Sequence, residues 1–90
     1  MKINKAIQEF VDSAIASGYV SKEDRYYLLN RVLYLVGEES FESSKEVEQS
    51  SLLEAMANLV EAAVEAGKIA NVSEERDWLE QELMNLVIPK

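Results

Sequence analysis

The sequence predicts an all-α protein, a four-helix bundle made of two repeated antiparallel helical hairpins. Three observations carry this. Apolar residues recur at spacings of three and four along four segments, glycines stand where those segments end, and the pattern of the first half returns in the second. The 90 residues fit a single domain, 1–90, with one hairpin over about 2–37, a linker over about 38–50 and a second hairpin over about 51–88.

The first helix is read from Ile3, Ala6, Ile7, Phe10, Val11 and Ala14, and Gly18 suits the left-handed residue that closes it. Ser21 is placed to cap a second helix, with Asp24 three residues on as a short-armed form of the capping box. Leu28, Leu29, Val32, Leu33, Leu35 and Val36 form the stripe of this helix, which Gly37 ends. In the second half Leu52, Ala55, Met56, Leu59, Val60 and Ala63 repeat the first stripe, and Gly67 takes the place of Gly18. Ser73 is placed to cap the fourth helix, whose stripe is Leu79, Leu83, Met84, Leu86 and Val87, and Pro89 opposes continuation. The offset is 49 residues in the first helix of each pair (Val11 with Val60) and 51 in the second (Leu28 with Leu79). A two-residue insertion in the second turn accounts for the change. The linker is rich in Ser and Glu, and Phe41 is its one large apolar side chain, expected to tether it to the bundle. Either Ser43 with Glu46 or Ser51 with Glu54 caps the third helix.

Seventeen acidic against nine basic residues give a net charge of −8. That balance opposes binding to nucleic acid, which requires cations on phosphates, and to an anionic membrane surface. Runs such as Val32–Val36 are far shorter than the roughly 20 apolar residues that span a bilayer. Glu9 and Asp12 interrupt any signal-peptide core, and the absence of cysteine fits the cytosol, so a cytoplasmic location is expected.

No histidine and no cysteine occur, which removes the usual general base, thiol nucleophiles and zinc ligands. No phosphate-cradling glycine motif occurs either. Catalytic, metal and cofactor-binding residues are therefore expected to be none. Glu9 with Asp12, and Glu61 with Glu65, read as solvated surface charge, and Glu38, Glu39 and Glu42 lack the spacing of a calcium loop. Arg25 and Arg76 hold equivalent first-turn positions and read as forming a structural salt bridge across the repeat, with ligand binding as the alternative.

At 100° per residue Tyr27 and Tyr34 lie opposite the second stripe, with Asn30 and Arg31 beside them, and Trp78 is the fourth-helix equivalent of Tyr27. Tyr, Trp and Arg are enriched at interface hot spots. Two readings stand open: the rings cover the bundle ends or pack between hairpins, or Tyr27, Arg31, Tyr34 and Trp78 form a docking surface.

Some stretches are familiar. Ile3-Asn4-Lys5-Ala6-Ile7-Gln8-Glu9-Phe10-Val11-Asp12, then Gly18, then Glu23-Asp24-Arg25-x-Tyr27-x-x-Asn30, resembles the amino terminus of the class II UDP-glucose–hexose-1-phosphate uridylyltransferases. Leu59-Val60-Glu61-Ala62-Ala63-Val64-Glu65-Ala66-Gly67-Lys68-Ile69 and the spaced set Arg76-Asp77, Leu83-Met84 and Pro89 are similar to later segments of the same family. Asn85 and Ile88 depart from its usual Gly and Thr. The resemblance implies a galactose-metabolising enzyme of several hundred residues that moves UMP from UDP-glucose to galactose 1-phosphate through a uridylylated histidine. No residue here matches that histidine, so no site is carried over. The resemblance implies an amino-terminal helical segment, excised or truncated, whose partner is the catalytic domain, another subunit or a further copy of itself. The competing expectation is a free-standing acidic helical adaptor that meets its partner through the same aromatic face.

Overall fold

Alanine and Ile, Phe or Val at three-and-four spacing give helix α1, Ile3–Ala16, one continuous buried stripe. The computed structural model describes residues 3–37 and 51–88, so Phe41, the acidic trio Glu38, Glu39 and Glu42, the alternative cap Ser43 with Glu46, and Pro89 lie outside the described residues. Three further α-helices follow: α2 (Arg25–Val36), α3 (Leu52–Glu65) and α4 (Ser73–Val87), with a short 3-10 turn over Lys22–Asp24 ahead of α2. Among the described residues the secondary structure is entirely helical, without a strand.

The glycine-closed ends of α1 and α3 share one geometry. Tyr19 N–H donates to the Ala14 carbonyl at 3.1 Å and Gly18 N–H to Ile15 at 3.0 Å; Lys68 N–H donates to Ala63 at 2.9 Å and Gly67 N–H to Val64 at 3.1 Å. This is the Schellman arrangement, which requires a left-handed residue, and Gly18 and Gly67 sit at φ +82° and +73°. A Cβ built on either glycine meets nothing within 4 Å, so the cost of substitution is backbone strain alone. Gly18→Ala and Gly67→Ala are each expected to lose about 1–2 kcal/mol, and thermal unfolding followed by circular dichroism checks this.

The starts of the helices depart in part from expectation. Ser51 caps α3 through its hydroxyl, which accepts from Glu54 N–H at 3.2 Å, as one of the two proposed caps. Ser21 does not cap α2. It precedes the 3-10 turn, and its hydroxyl donates to the Asp24 carboxylate at 3.0 Å instead, so α2 starts later, at Arg25. Ser73 is not a cap either, because the extended cap position is Val72 and Ser73 is already helical. Ile88 is extended, as the residue before a proline prefers.

Helix α1 packs on both α2 and α3, α3 also on α4, and α4 also on α2, so each helix has two neighbours around one core. Ala6, Ile7, Phe10, Val11 and Ala14 are buried, and so are Ala55, Met56, Leu59, Val60 and Ala63, each 49 positions on. Leu28, Val32 and Val36 are buried with Leu79, Leu83 and Val87, each 51 positions on. Leu33, Leu35, Met84 and Leu86, placed in the stripes from sequence, pack against this core only partly buried.

Candidate docking surface

Leu28, Leu29, Val32 and Val36 turn one side of α2 into the core. A rotation of 100° per residue then sends Tyr26, Tyr27, Asn30, Arg31 and Tyr34 to the other side. All five are exposed. Tyr34 is 85% exposed, Tyr26 75% and Tyr27 66%. Three open tyrosines on a 12-residue helix form an aromatic face with a cation at its margin, the side-chain chemistry that dominates binding energy at protein interfaces. Trp78, 47% exposed, stands apart from this row, on α4.

Tyr26 was not singled out by sequence. The signal was present, since Tyr26, Asn30 and Tyr34 follow each other at four-residue steps along the helix. Tyr27 also borders an open groove of about 430 Å³ that runs between Tyr19, Val20 and Leu28 on one side and Leu86 and Val87 at the end of α4 on the other.

Charge is distributed unevenly over these helices. Helix α2 carries Arg25 and Arg31 and no carboxylate, whereas α4 carries Glu74, Glu75, Asp77, Glu80 and Glu82 against Arg76 alone. Asp77, Glu80, Gln81 and Met84 line a shallow hollow of about 240 Å³ on α4.

Asp12 on α1 and Glu61 on α3 are engaged in ion pairs. Arg25 pairs with Asp12 at 3.2 Å, and Arg76 pairs with Glu61 while donating to the Asn71 side chain at 2.9 Å. Each arginine therefore ties its own helix to the one preceding it, which corrects the expected bridge across the repeat. The reason is local: the acid lies on the helix next to it, within reach across a short turn. Both pairs are part exposed, and such pairs contribute about 1 kcal/mol or less. Glu9, expected in solvent, is buried at 4% exposure and accepts a hydrogen bond from the Asn58 amide at 3.0 Å. Here α1 has two packing neighbours, and the second, α3, covers the edge of the stripe where Glu9 sits.

Among the described residues no three acidic side chains converge on a point that could hold a metal ion. None of the described helices is long and apolar enough to cross a membrane.

The fold and the open aromatic row define a small all-helical module whose distinguishing feature is a surface. Over 83 residues, 92% of its length, the chain is 39% identical to galactose-1-phosphate uridylyltransferase 1 of Streptococcus pneumoniae, of which it covers 16%. It is 37% identical to the galactose-1-phosphate uridylyltransferase of Streptococcus mutans over the same shares of the two chains. To that of Lactiplantibacillus plantarum it is 38% identical, over 93% of this chain and 17% of the relative. The resemblance read from the residues is thus confirmed, and the chain spans about one sixth of the length of these relatives, consistent with an amino-terminal segment. No family model matches the chain, and no solved structure matches it.

Proposed function

We propose that the chain is the amino-terminal, non-catalytic helical domain of a galactose-1-phosphate uridylyltransferase and serves it as a docking module. The parent activity is transfer of UMP from UDP-glucose to galactose 1-phosphate, in the cytosol. One observation carries the reading: similarity runs through 92% of this chain yet reaches 16% of the relative, while the chain holds no histidine to accept a uridylyl group. What such a segment offers the remaining protein is surface. The row of Tyr27, Arg31 and Tyr34, extended by Tyr26 and accompanied by Trp78, is the part of that surface best suited to being covered by the catalytic body or another subunit.

The recurrence of buried positions at 49 and 51 residues, and of the same glycine closure at Gly18 and Gly67, supports reading the fold as two copies of one helical hairpin. On this reading each copy supplies one inner helix, α1 or α3, and one outer helix, α2 or α4. The outer helices carry the exposed rings of Tyr26, Tyr27, Tyr34 and Trp78.

The test is the double substitution Tyr34→Ala and Trp78→Ala in the several-hundred-residue transferase. Both side chains lie on the surface of this domain, so the domain itself is expected to remain folded. In the transferase, uridylyl transfer is expected to fall about tenfold or the melting temperature by several degrees, as loss of one or two interface anchors implies. Unchanged activity, oligomeric state and melting temperature overturn the proposal.

A further inference from the structure

We infer that the open groove between the α1–α2 turn and the end of α4 is filled, in the long transferase, by apolar side chains of the stretch that follows position 90 of this chain. The inference rests on the docking reading and names the part of the transferase that makes the contact. Two matched places in the fold differ in how they are closed. Counting 49 residues on from Tyr19 and Val20 reaches Lys68 and Ile69, and counting 51 back from Leu86 and Val87 reaches Leu35 and Val36. There the chain covers its own gap: Ile69 is buried, and Lys68 Nζ donates at 3.4 Å to the carbonyl of Gly37, the residue after Val36. At the first place Val20 is a smaller side chain and stays half-buried, Tyr19 is 52% exposed, and the groove of about 430 Å³ remains open.

The lining states the chemistry of the guest. Leu28, Leu86 and Val87 are joined there by the rings of Tyr19 and Tyr27, and among the described lining residues the one charge is the Asp24 carboxylate. A nucleotide or sugar phosphate is repelled by that charge, whereas apolar and basic side chains are accepted. Chain direction then selects the occupant. Val87 lines the groove, and the next residue, Ile88, has left the helix for extended backbone and is 43% exposed. The matched part is 16% of the pneumococcal relative, so on the docking reading a long continuation starts at the rim of the groove. A segment tethered at that point meets the groove at a local concentration on the order of millimolar. A shallow apolar groove holds such a segment without the large buried area that two free partners need.

Photo-crosslinking in the long transferase tests this, with p-benzoylphenylalanine replacing Tyr27 at the groove or, as control, Tyr26, which lies outside the groove lining. Both positions are exposed, so the larger ring is accommodated. Position 27 is expected to crosslink within its own chain to the first peptides after position 90, and position 26 is expected not to. A second measurement removes the aromatic wall. Tyr19→Ala with Tyr27→Ala is expected to speed trypsin cleavage just after position 90 about tenfold, with the helical circular dichroism unchanged. A crosslink from position 27 to a distant part of the catalytic body, or to another copy as judged by the mass of the product, overturns the inference and leaves the docking reading standing. Equal crosslinking from both positions, or cleavage unaffected by the double substitution, overturns it as well. If neither position crosslinks, the inference falls, and if Tyr34→Ala with Trp78→Ala also leaves the transferase unaffected, the docking reading falls with it.

Discussion

Phe10→Ala is expected to remove about 3–5 kcal/mol from the stability of the domain. Phe10 is completely buried and is among the largest side chains so enclosed. It lies on α1, which packs against two other helices, so the space left by the ring is walled from two directions and collapses poorly. A domain of 90 residues has roughly 5–13 kcal/mol in total, and a loss of this size takes a third or more of it. Urea unfolding followed by circular dichroism is the measurement, with the midpoint expected to fall sharply at constant slope. Tyr34→Ala is the matched control: the same kind of side chain is deleted from the surface, and the change is expected to stay within about 0.5 kcal/mol. A loss below about 1 kcal/mol for Phe10→Ala would mean that the ring is not enclosed as described.

The contrast between these two aromatic residues explains how far the structure can be read from sequence. Phe10 and Tyr34 are both large and partly or wholly apolar, and only periodicity separates them. Periodicity succeeds for α1 and α3, where the six-residue stripes read from spacing are buried with Ile3 alone in part open. It is less sharp for α2 and α4, where Leu33, Leu35, Met84 and Leu86 pack against the core only partly buried. Glycine closures were legible because a left-handed residue at a helix end is a local demand that the sequence states locally. Helix starts were less legible. Ser21 and Ser73 have the composition of caps, but the cap positions are fixed by where the chain turns, and at Val72 that is an apolar residue.

The surface shows the same division. The open position of Tyr27, Arg31 and Tyr34 follows from angular arithmetic on one helix, and the same arithmetic reaches Tyr26, which is more exposed than Tyr27. What covers these rings is not local information. It depends on surfaces of other helices or other chains, and only the length of the relatives bears on it. The pairing of Arg25 with Asp12 and of Arg76 with Glu61 is intermediate: the arginines were picked out, but which acid each would reach depends on how tightly the turn brings neighbouring helices together.

Glu9 is the position where sequence and structure part most clearly, and it supports the second large prediction. A carboxylate beside an apolar stripe reads the same whether its neighbour is water or an amide 49 residues away. In the fold that amide is Asn58, which donates from Nδ2 to Glu9 Oε1 at 3.0 Å where α1 meets α3. Asn58→Ala deletes a donor to a buried charged group and is expected to cost about 1.5–3 kcal/mol. Asn58→Asp keeps the size and exchanges the donor for a second carboxylate facing the first. Two carboxylates facing each other at this part-buried contact resist being ionised together, so in the variant one proton is held more tightly in the fold than in the unfolded chain. Stability tied to a raised pKa is present at low pH and is lost as pH rises through it. Asn58→Asp is therefore expected to be less stable than Asn58→Ala near neutral pH and to recover toward about pH 4, where the shared proton supplies the missing donor. Melting temperatures of the two variants across that range decide the matter. Equal stability of Asn58→Asp and the native chain at neutral pH would show that Glu9 does not depend on the Asn58 amide.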